Sequence, residues 1–291
     1  MRIVRSVAAL REALAPARDE ERSIGLVPTM GALHQGHLSL VRAARAACEV
    51  VVVSLFVNPA QFGPSEDLES YPRDAGRDAA LAEREGADFL FGPTVEEVYP
   101  PGFATTVAVA GLTDVLCGDP GRRGAEHFAG VTTVVAKLLN MAQPTTVYFG
   151  QKDAQQAIVI RRLVRDLDYP VAVEVCPTVR DADGLALSSR NAYLSPAERE
   201  RALGLSRALR AAEARVAAGT TDASAVLAAA HEQLGRAGIE PEYLELRSAT
   251  DLSPVERVNG STLLALAAHV GRARLIDNTI LAGPRTKRIE S

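Results

Sequence analysis

The stretch "IGLVPTMGALHQGH", residues 24–37, joins a short apolar run to two glycines and two histidines. The apolar run at 24–27 is typical of a short buried strand, and a helical pattern of apolar residues begins at about Leu38. His34 and His37 are three residues apart, so on a helix they would share one face of the first turn. The stretch therefore predicts a strand–turn–helix unit that presents two imidazoles at the start of its helix.

The same alternation of strand and helix continues through the first 178 residues. The run "VVVVSLFV", 50–57, is continuously apolar, as expected of a strand that is covered on both faces. Further predicted strands are "ADFLF" (87–91), "TTVAVA" (105–110), "TTVYF" (145–149) and "VAVEVC" (171–176), and further predicted helices span 75–86, about 130–141 and about 153–167. This pattern predicts a Rossmann-like parallel sheet with helices on both faces, whose ligands bind at the carboxyl ends of the strands.

The pattern changes after about residue 178. A loop leads into a helix that is rich in Ala and Arg and ends near Gly219, and a second helix follows Asp222, which is suited to capping it. The tail reads as three strands, "PEYLELR" (241–247), "TLLALAAHV" (262–270) and "RARLIDNTIL" (272–281). We therefore predict two domains, a Rossmann-like domain at 1–178 and a smaller α+β domain with antiparallel strands at 179–291.

Composition narrows the class of protein. The 291 residues carry a net charge of −4, which argues against a general nucleic-acid or anionic-membrane binder. No apolar run approaches the roughly 18–20 residues of a membrane span, and the N-terminus lacks the uninterrupted apolar core of a signal peptide. The three cysteines are widely separated and form no CxxC pair, which disfavours a disulfide framework or a zinc finger. We expect a cytoplasmic protein with neither nucleic acid nor membrane as a partner.

The two histidines suit the binding of an anion. The start of a helix offers unpaired backbone N–H groups and the positive end of the helix dipole. Gly36, between the histidines, adds no side chain that would block a ligand. Two other interpretations stay open from the residues alone: a pair of capping histidines, or a zinc pair, which is disfavoured because no third Cys or His is near in sequence.

Two more clusters are compatible with phosphate. In "GQKD", 150–153, Lys152 follows a predicted strand and can reach a phosphate, while Asp153 is suited either to capping the next helix or to holding a sugar hydroxyl. In "LSSRN", 187–191, two hydroxyls and a guanidinium stand in succession. Each cluster alone is common on surfaces, but together with the histidines they predict a phosphate site that is neither a P-loop nor a GxGxxG fingerprint.

Amides and one carboxylate complete the candidate residues. Gln61, in "NPAQF", and Gln156 would suit a small polyol or hydroxy acid, although loop amides usually bond to backbone. Asp78 is compatible with contact to a metal-bound phosphate, and an exposed helix charge is the simpler interpretation. His127 precedes a predicted helix and is most simply a packed or capping histidine.

Six motifs, in order, resemble the pantothenate synthetase family (AMP-forming pantoate–β-alanine ligases) of the HxGH nucleotidylyltransferase-like superfamily. They are "PTMGALHQGH", "SLFVNPAQF", "YPRD", "HFAGVTTVVAKLLN", "FGQKDAQQ" and "PTVRDADGLALSSRN". The resemblance implies that ATP and pantoate form pantoyl adenylate and pyrophosphate, and that β-alanine then displaces AMP to give pantothenate. It also implies Mg²⁺ with ATP, a homodimer, and a C-terminal lid domain that closes over the nucleotide.

The resemblance also implies roles for individual residues. His34, His37, Lys152 and Arg190 would be catalytic, with His37 as proton donor. ATP would be bound by Met30, Gly31, Ala32, Leu33, His34, Gln35, Gly36, His37, Gly150, Gln151, Lys152, Asp153, Val179, Leu187, Ser188, Ser189 and Arg190. Gln61 and Gln156 would bind pantoate, Gln61 would also lie near β-alanine, and Asp78 is the candidate for contact with Mg²⁺.

The chain departs from the family pattern at two positions. Leu187 stands where Met is common, and Leu keeps an apolar contact for adenine. Ala154 stands where an aromatic is frequent, which removes no catalytic group. The competing hypotheses are another HxGH-type adenylyl- or cytidylyltransferase acting on a small hydroxy acid, and a nucleotide-binding regulator without catalysis.

Overall fold

The computed structural model describes residues 1–63, 68–69 and 71–283, and it divides into two compact units. The first unit comprises Met1–Gln151 and Gln155–Val179. The second comprises Lys152–Ala154 and the chain from Arg180 onwards. The division falls beside the predicted boundary at 178/179, but no sequence pattern indicated that Lys152 would belong with the C-terminal part of the chain.

A parallel sheet forms the centre of the first unit. Its strands are β1 (Arg2–Val4), β2 (Ile24–Thr29), β3 (Val50–Leu55), β4 (Phe89–Phe91), β5 (Thr146–Gly150) and β6 (Ala172–Cys176). Their order is β1-β4-β3-β2-β5-β6, and each neighbouring pair is parallel. The helices are α1 (Val7–Asp19), α2 (Gln35–Ala47), α3 (Ala75–Arg84), α4 (Val95–Val98), α5 (Ala125–Ala142) and α6 (Ala154–Asp166).

The strand order reverses between β2 and β5. From β2 the chain crosses through α2 and α3 towards β4, whereas β1 to β2, β4 to β5 and β5 to β6 run in the opposite direction. Because parallel crossovers are right-handed, this reversal places α1, α5 and α6 on one face and α2 and α3 on the other. The contacts agree, since α1 packs against α5 and α2 against α3. The predicted Rossmann-like sheet with helices on both faces is confirmed.

Burial explains the continuous apolar run of β3. Val51, Val52 and Val53 are 0% exposed, because helices cover both sides of this strand. Each fully buried side chain of this size contributes roughly 1.5–3 kcal/mol of transfer free energy. Those contributions fix β3 beside β2, and with it the place where the histidine turn leaves the sheet.

Three expectations about the first unit need correction. Residues 105–110 are not a strand: the Val107 N–H donates to the Thr133 hydroxyl at 2.9 Å, and the Val107 carbonyl accepts from the Thr132 hydroxyl at 2.5 Å. Side chains of α5 thus take the backbone groups that a strand neighbour would need. Helix α5 begins at Ala125 rather than near Gly130. Strand β1 and helix α1 were not predicted at all.

The second unit has the predicted α+β composition. It contains α7 (Pro196–Ala217), α8 (Ala223–Arg236) and an antiparallel sheet of β7 (Pro241–Ser248), β8 (Thr262–Val270) and β9 (Ala273–Leu281) in the order β7-β8-β9. The Asp222 side chain accepts from the Ala225 N–H, so the predicted cap of α8 is confirmed. Among the described helices of both units, none combines the length and apolar character that crossing a bilayer requires.

Candidate active site

The histidine turn connects the end of β2 to the start of α2. His34 is the N-cap residue of α2, and its Nδ1 accepts from the Gly36 N–H at 3.1 Å. In return, His37 Nδ1 lies 3.4 Å from the backbone N–H of His34. The ring centroids are 4.1 Å apart. The capping interpretation of the two histidines is thus confirmed, and the two rings hold each other in place.

These bonds define which nitrogen of each imidazole carries the proton. A backbone N–H can only donate, so Nδ1 of both His34 and His37 acts as an acceptor. A neutral ring then carries its proton on Nε2, which makes Nε2 the donor. Capping and anion binding are therefore compatible, because they use opposite nitrogens of the same ring. The described residues contain no group of three or more His, Cys, Asp or Glu that could hold a metal ion.

A buried carboxylate holds the turn from behind. Asp78 Oδ2 accepts from the Ala32 N–H at 2.9 Å, and Oδ1 accepts from the Leu33 N–H at 2.8 Å. Gly31 and Ala32 have φ of +94° and +51°, so successive N–H groups converge on one anion. A side chain at Gly31 would also meet Leu55 at 2.9 Å. The turn is therefore built around its own internal carboxylate.

This arrangement changes the interpretation of Asp78. The residue is 1% exposed, and both of its carboxylate oxygens are already bonded to backbone. It is neither the exposed helix charge nor a carboxylate presented to solvent for Mg²⁺. The described contacts make it a positioning residue for the turn rather than a contact for Mg²⁺.

Gln61 is held at its backbone by His127. His127 Nδ1 lies 2.7 Å from the Gln61 carbonyl oxygen, and His127 Nε2 lies 3.1 Å from Nη1 of Arg123. Because a guanidinium only donates, Nε2 accepts and Nδ1–H donates to the carbonyl. His127 thus packs against the turn Pro59–Gln61, which confirms the interpretation of a packed histidine.

Adjacent glutamines at the start of α6 have different roles. Gln155 is buried; its Oε1 accepts from the Cys117 N–H, and its Nε2 donates to the carbonyls of Leu112 and Val115. Gln156 is partly exposed, and its amide has no hydrogen-bond partner within the described part of the chain. The structure therefore commits Gln155 to packing, while the role of Gln156 in ligand binding stays a prediction.

In the second unit, the lysine segment is attached to the last strand. Asn278 Nδ2 donates to the Lys152 carbonyl at 2.8 Å, and Lys152 Nζ lies 4.0 Å from Asp153 Oδ1. Asp277, which precedes Asn278, is 3% exposed and forms a bidentate ion pair with Arg180. Nη1 of Arg180 lies 2.6 Å from Asp277 Oδ2, and Nη2 lies 2.9 Å from Oδ1. This hydrogen bonding raises the pKa of Arg180 above its ordinary value. The sequence analysis did not predict this ion pair or the Asn278–Lys152 hydrogen bond, because the bonded residues are 97 and 126 positions apart.

The serine–arginine cluster forms a short 3₁₀ turn in the same unit. Ser188 caps the turn Ser189–Tyr193 by accepting from the Arg190 N–H at 3.3 Å. Asn191 Nδ2 ties the turn to the Ala186 carbonyl at 3.0 Å. Leu187, Ser188, Ser189 and Arg190 are all partly exposed. The turn presents two hydroxyls and a guanidinium in a compact group, as a phosphate clamp requires.

The remaining predicted ATP contacts follow the strand ends. Met30 to Leu33 form the turn after β2, Gln35 and Gly36 begin α2, Gly150 ends β5, Gln151 follows it, and Val179 ends the first unit. Ligands of such sheets bind outside the strand ends where the order reverses, and β2 and β5 flank that point. A doubly wound sheet with paired histidines at this point is typical of nucleotide-binding α/β enzymes.

Comparison with known proteins specifies the class further. A family model described as pantoate-beta-alanine ligase matches residues 2–280. The chain is 53% identical to the pantothenate synthetase of Moorella thermoacetica, covering 97% of this chain and 99% of that protein. It is 50% identical to that of Thermotoga neapolitana, covering 97% and 100%. The chain therefore belongs to the pantoate–β-alanine ligase family.

Solved structures agree with this assignment. The pantothenate synthetase of Thermus thermophilus matches with a TM-score of 0.90 at 48% identity, covering 96% of this chain and 99% of that one. A pantoate–β-alanine ligase of Francisella tularensis, solved in complex with a β-γ ATP ligand and β-alanine, matches with a TM-score of 0.79 at 33% identity, covering 96% and 97%. The fold assigned above is therefore that of the family.

Proposed function

We propose that the protein condenses pantoate with β-alanine to pantothenate, through a pantoyl adenylate, and releases AMP and pyrophosphate from ATP. The observation that carries the proposal is the reciprocal bonding of His34 and His37 at the start of α2, which makes Nδ1 of each ring an acceptor and Nε2 the nitrogen that donates. A phosphate chain that gains charge during reaction is the ligand this arrangement suits. Family membership supplies the substrates.

The first step is an in-line attack. A carboxylate oxygen of pantoate forms a bond to the α-phosphorus of ATP, the bond from that phosphorus to the bridging oxygen breaks, and the electron pair leaves on pyrophosphate. Positioned donors facing the developing charge are worth roughly 10²–10³ in rate each. His34 and His37 supply two of them, and His37 is the candidate for protonating the leaving group. Lys152, Ser188, Ser189 and Arg190 supply charge and hydroxyls for the phosphates.

The second step forms the amide. The amine of β-alanine attacks the carbonyl carbon of the adenylate, AMP leaves with the electron pair of the broken C–O bond, and the nitrogen releases one proton to solvent. Gln61 and Gln156 would orient pantoate through its hydroxyl and carboxylate oxygens, with Gln61 also near β-alanine. The available Gln156 amide and the buttressed Gln61 are what such positioning needs.

Mg²⁺ accompanies ATP in this proposal. Mg²⁺ keeps several waters and binds phosphate oxygens readily, so it needs few ligands from the protein. This fits the described residues, which offer no cluster of three or more His, Cys, Asp or Glu. The metal would supply charge neutralisation on the phosphates. A homodimer, which the family resemblance implies, and a cytoplasmic location, which the sequence predicts, are part of the same proposal.

Isotope exchange between ATP and pyrophosphate tests the adenylation step. Purified protein with Mg²⁺ is assayed with and without pantoate, and β-alanine is left out. Exchange that requires pantoate would establish the adenylate. Folded protein that shows no exchange would mean that the phosphate site serves another acceptor, and the transferase hypothesis would replace this one.

Addition of β-alanine tests the second step. We expect AMP and pantothenate to appear in equal amounts, and exchange to fall as the adenylate is consumed. Glycine, which is one methylene shorter, serves as the control amine. Pantoate-dependent exchange with no amide product from β-alanine would keep the adenylation and refute the ligase assignment.

A further inference from the structure

The proposed pantoate residue Gln61 is bonded to a buried asparagine. Asn58 is 1% exposed, and its Nδ2 lies 3.1 Å from Gln61 Oε1 and 3.1 Å from the carbonyl oxygen of Gly130. Its Oδ1 lies 3.2 Å from the Ala60 N–H and 2.8 Å from the Tyr99 hydroxyl. Both donors and both acceptor positions of this amide are therefore occupied by protein groups.

Two backbone partners decide how the Asn58 amide is turned. The carbonyl of Gly130 can only accept and the N–H of Ala60 can only donate, so nitrogen faces Gly130 and oxygen faces Ala60. The second hydrogen of the Asn58 amide then points at Gln61, which must present Oε1 to it. The two backbone partners therefore determine which group donates and which accepts in each hydrogen bond of this network.

The same logic fixes what Gln61 offers to a ligand. Its Oε1 is bonded to Asn58, and its Nε2 contacts Met30 Sδ at 3.1 Å, which is a weak acceptor. Gln61 therefore presents N–H donors rather than its oxygen. A carboxylate or hydroxyl oxygen is the group that such an amide recognises, and pantoate carries both.

Tyr99 completes the network from the other side. Since Asn58 Oδ1 acts as an acceptor, the Tyr99 hydroxyl must donate to it. The Tyr99 ring is held by Phe103, at 5.1 Å between centroids, and Lys137 Nζ lies 5.9 Å from its centroid. Burial raises the pKa of Tyr99 to about 12, so the hydroxyl keeps its proton near neutral pH.

Gly130 allows helix α5 to take part. A Cβ at this position would lie 2.2 Å from the Ala60 carbonyl oxygen and 2.7 Å from the Gln61 nitrogen. The helix backbone therefore approaches the turn Pro59–Gln61 closely enough for its carbonyl to reach Asn58. The network spans two loops and one helix of the first unit.

We infer that Tyr99 is a positioning residue for pantoate: its hydroxyl orients the Asn58 amide, which in turn orients Gln61 with its N–H groups towards a substrate oxygen. The inference rests on the proposed function, because that function assigns pantoate to Gln61. Tyr99 itself need not touch the substrate. Its effect should therefore appear in pantoate binding and be absent from ATP binding.

Tyr99→Phe removes only the hydroxyl and keeps the ring contacts. Tyr169→Phe is the matched control, because its hydroxyl also bonds an asparagine side chain, Nδ2 of Asn140 at 3.1 Å, and is not among the predicted site residues. We expect Tyr99→Phe to raise the KM for pantoate roughly threefold to tenfold, the scale of one lost hydrogen bond. The KM for ATP should stay at the control's value.

A double variant tests whether Tyr99 acts through Gln61. Adding Tyr99→Phe to Gln61→Ala should raise the pantoate KM no further, because the group being oriented is already absent. An unchanged pantoate KM in Tyr99→Phe, or equal rises in the KM for pantoate and for ATP, would overturn the inference. An additive effect in the double variant would do the same.

A spectroscopic test separates this inference from the proposed function. In protein with ¹⁵N-labelled glutamine side chains, the Gln61 amide resonances are identified by their loss in Gln61→Ala. They should move in Tyr99→Phe and stay in place in Tyr169→Phe, without any substrate present. If they move but wild-type protein shows no pantoate-dependent exchange, the proposed function fails and the positioning stands. If they do not move, the positioning fails.

Discussion

Replacing Asp78 by Asn tests whether the histidine turn depends on an internal carboxylate. The amide has the same shape but only one acceptor oxygen, so its NH₂ group must face one of the two backbone N–H groups, of Ala32 or of Leu33. One hydrogen bond to a buried charged acceptor is lost whichever way the amide turns, at a cost of about 1.5–3 kcal/mol. For a protein of 291 residues, with an unfolding entropy of about 2.1 cal/mol/K per residue, we expect the melting temperature to fall by roughly 2–5 °C.

In Asp78→Asn the rate of ATP–pyrophosphate exchange should fall as well as the melting temperature. Asp78 holds Ala32 and Leu33, which precede the histidines directly, and a displacement of about 1 Å in a catalytic group can cost roughly 100-fold in rate. We therefore expect pantoate-dependent ATP–pyrophosphate exchange to drop by up to that factor. The Mg²⁺ concentration for half-maximal activity should not change, because Asp78 is bonded to backbone.

Asp74→Asn is the control on the same helix. Asp74 caps α3 by accepting from the Arg77 N–H at 2.9 Å, and Asn caps helices as well as Asp does. This variant should melt and react like the wild type. If Asp78→Asn keeps the wild-type melting temperature but needs more Mg²⁺, the positioning role of Asp78 is refuted. Contact between Asp78 and Mg²⁺ would then be the better interpretation.

The phosphate-binding residues and the second unit can be tested by separate substitutions. His37→Ala and Lys152→Ala should each lower the exchange rate by roughly 10²–10⁴-fold, because each removes a donor or charge for the reacting phosphates; wild-type exchange in either would exclude that residue. Asn278→Ala leaves the Lys152 carbonyl without the side-chain donor that lies 2.8 Å from it. We therefore expect the exchange rate to fall roughly tenfold and the KM for ATP to rise. A lower melting temperature with unchanged kinetics would make Asn278 structural only. In the cap of α7, the backbone and side-chain hydrogen bonds of Ser195 lower the pKa of Glu198, so its stabilising effect is complete above the ordinary carboxyl pKa and is lost as the pH falls through the lowered value. Melting temperatures of wild type and Glu198→Gln should converge in acid, and a constant difference would contradict this.

Local patterns were enough to predict most of the fold. The β3 run is apolar because it is buried, and strands β7 and β9 place apolar residues at most of their buried positions. The caps at His34 and Asp222 lie within a few residues of the groups they bond. The stretch 105–110 shows where local reasoning fails. Its β-branched residues favour a strand, but the Val107 backbone is bonded by threonines about 25 residues away, which no short window contains.

The residues of the candidate site also divide into those that local patterns predict and those that they do not. The two histidines, the lysine and the serine–arginine cluster are contiguous motifs, so their residue types could be read directly. Their supporting residues are distant in sequence: Asp78 lies 46 residues from Ala32, and Tyr99 lies 41 from Asn58. Sequence spacing says nothing about such pairs, because only the packed fold brings them together. The supports of the site, rather than its reactive groups, needed the structure.

The bond between Lys152 and Asn278 has a consequence for the nascent chain. The two residues are 126 apart, so at 5–20 residues per second the lysine segment is synthesised roughly 6–25 s before its partner strand. During that interval the histidine turn can fold around Asp78, while the lysine segment still lacks its anchor. A chain released from the ribosome before β9 is complete should therefore carry a folded sheet but be unable to turn over ATP.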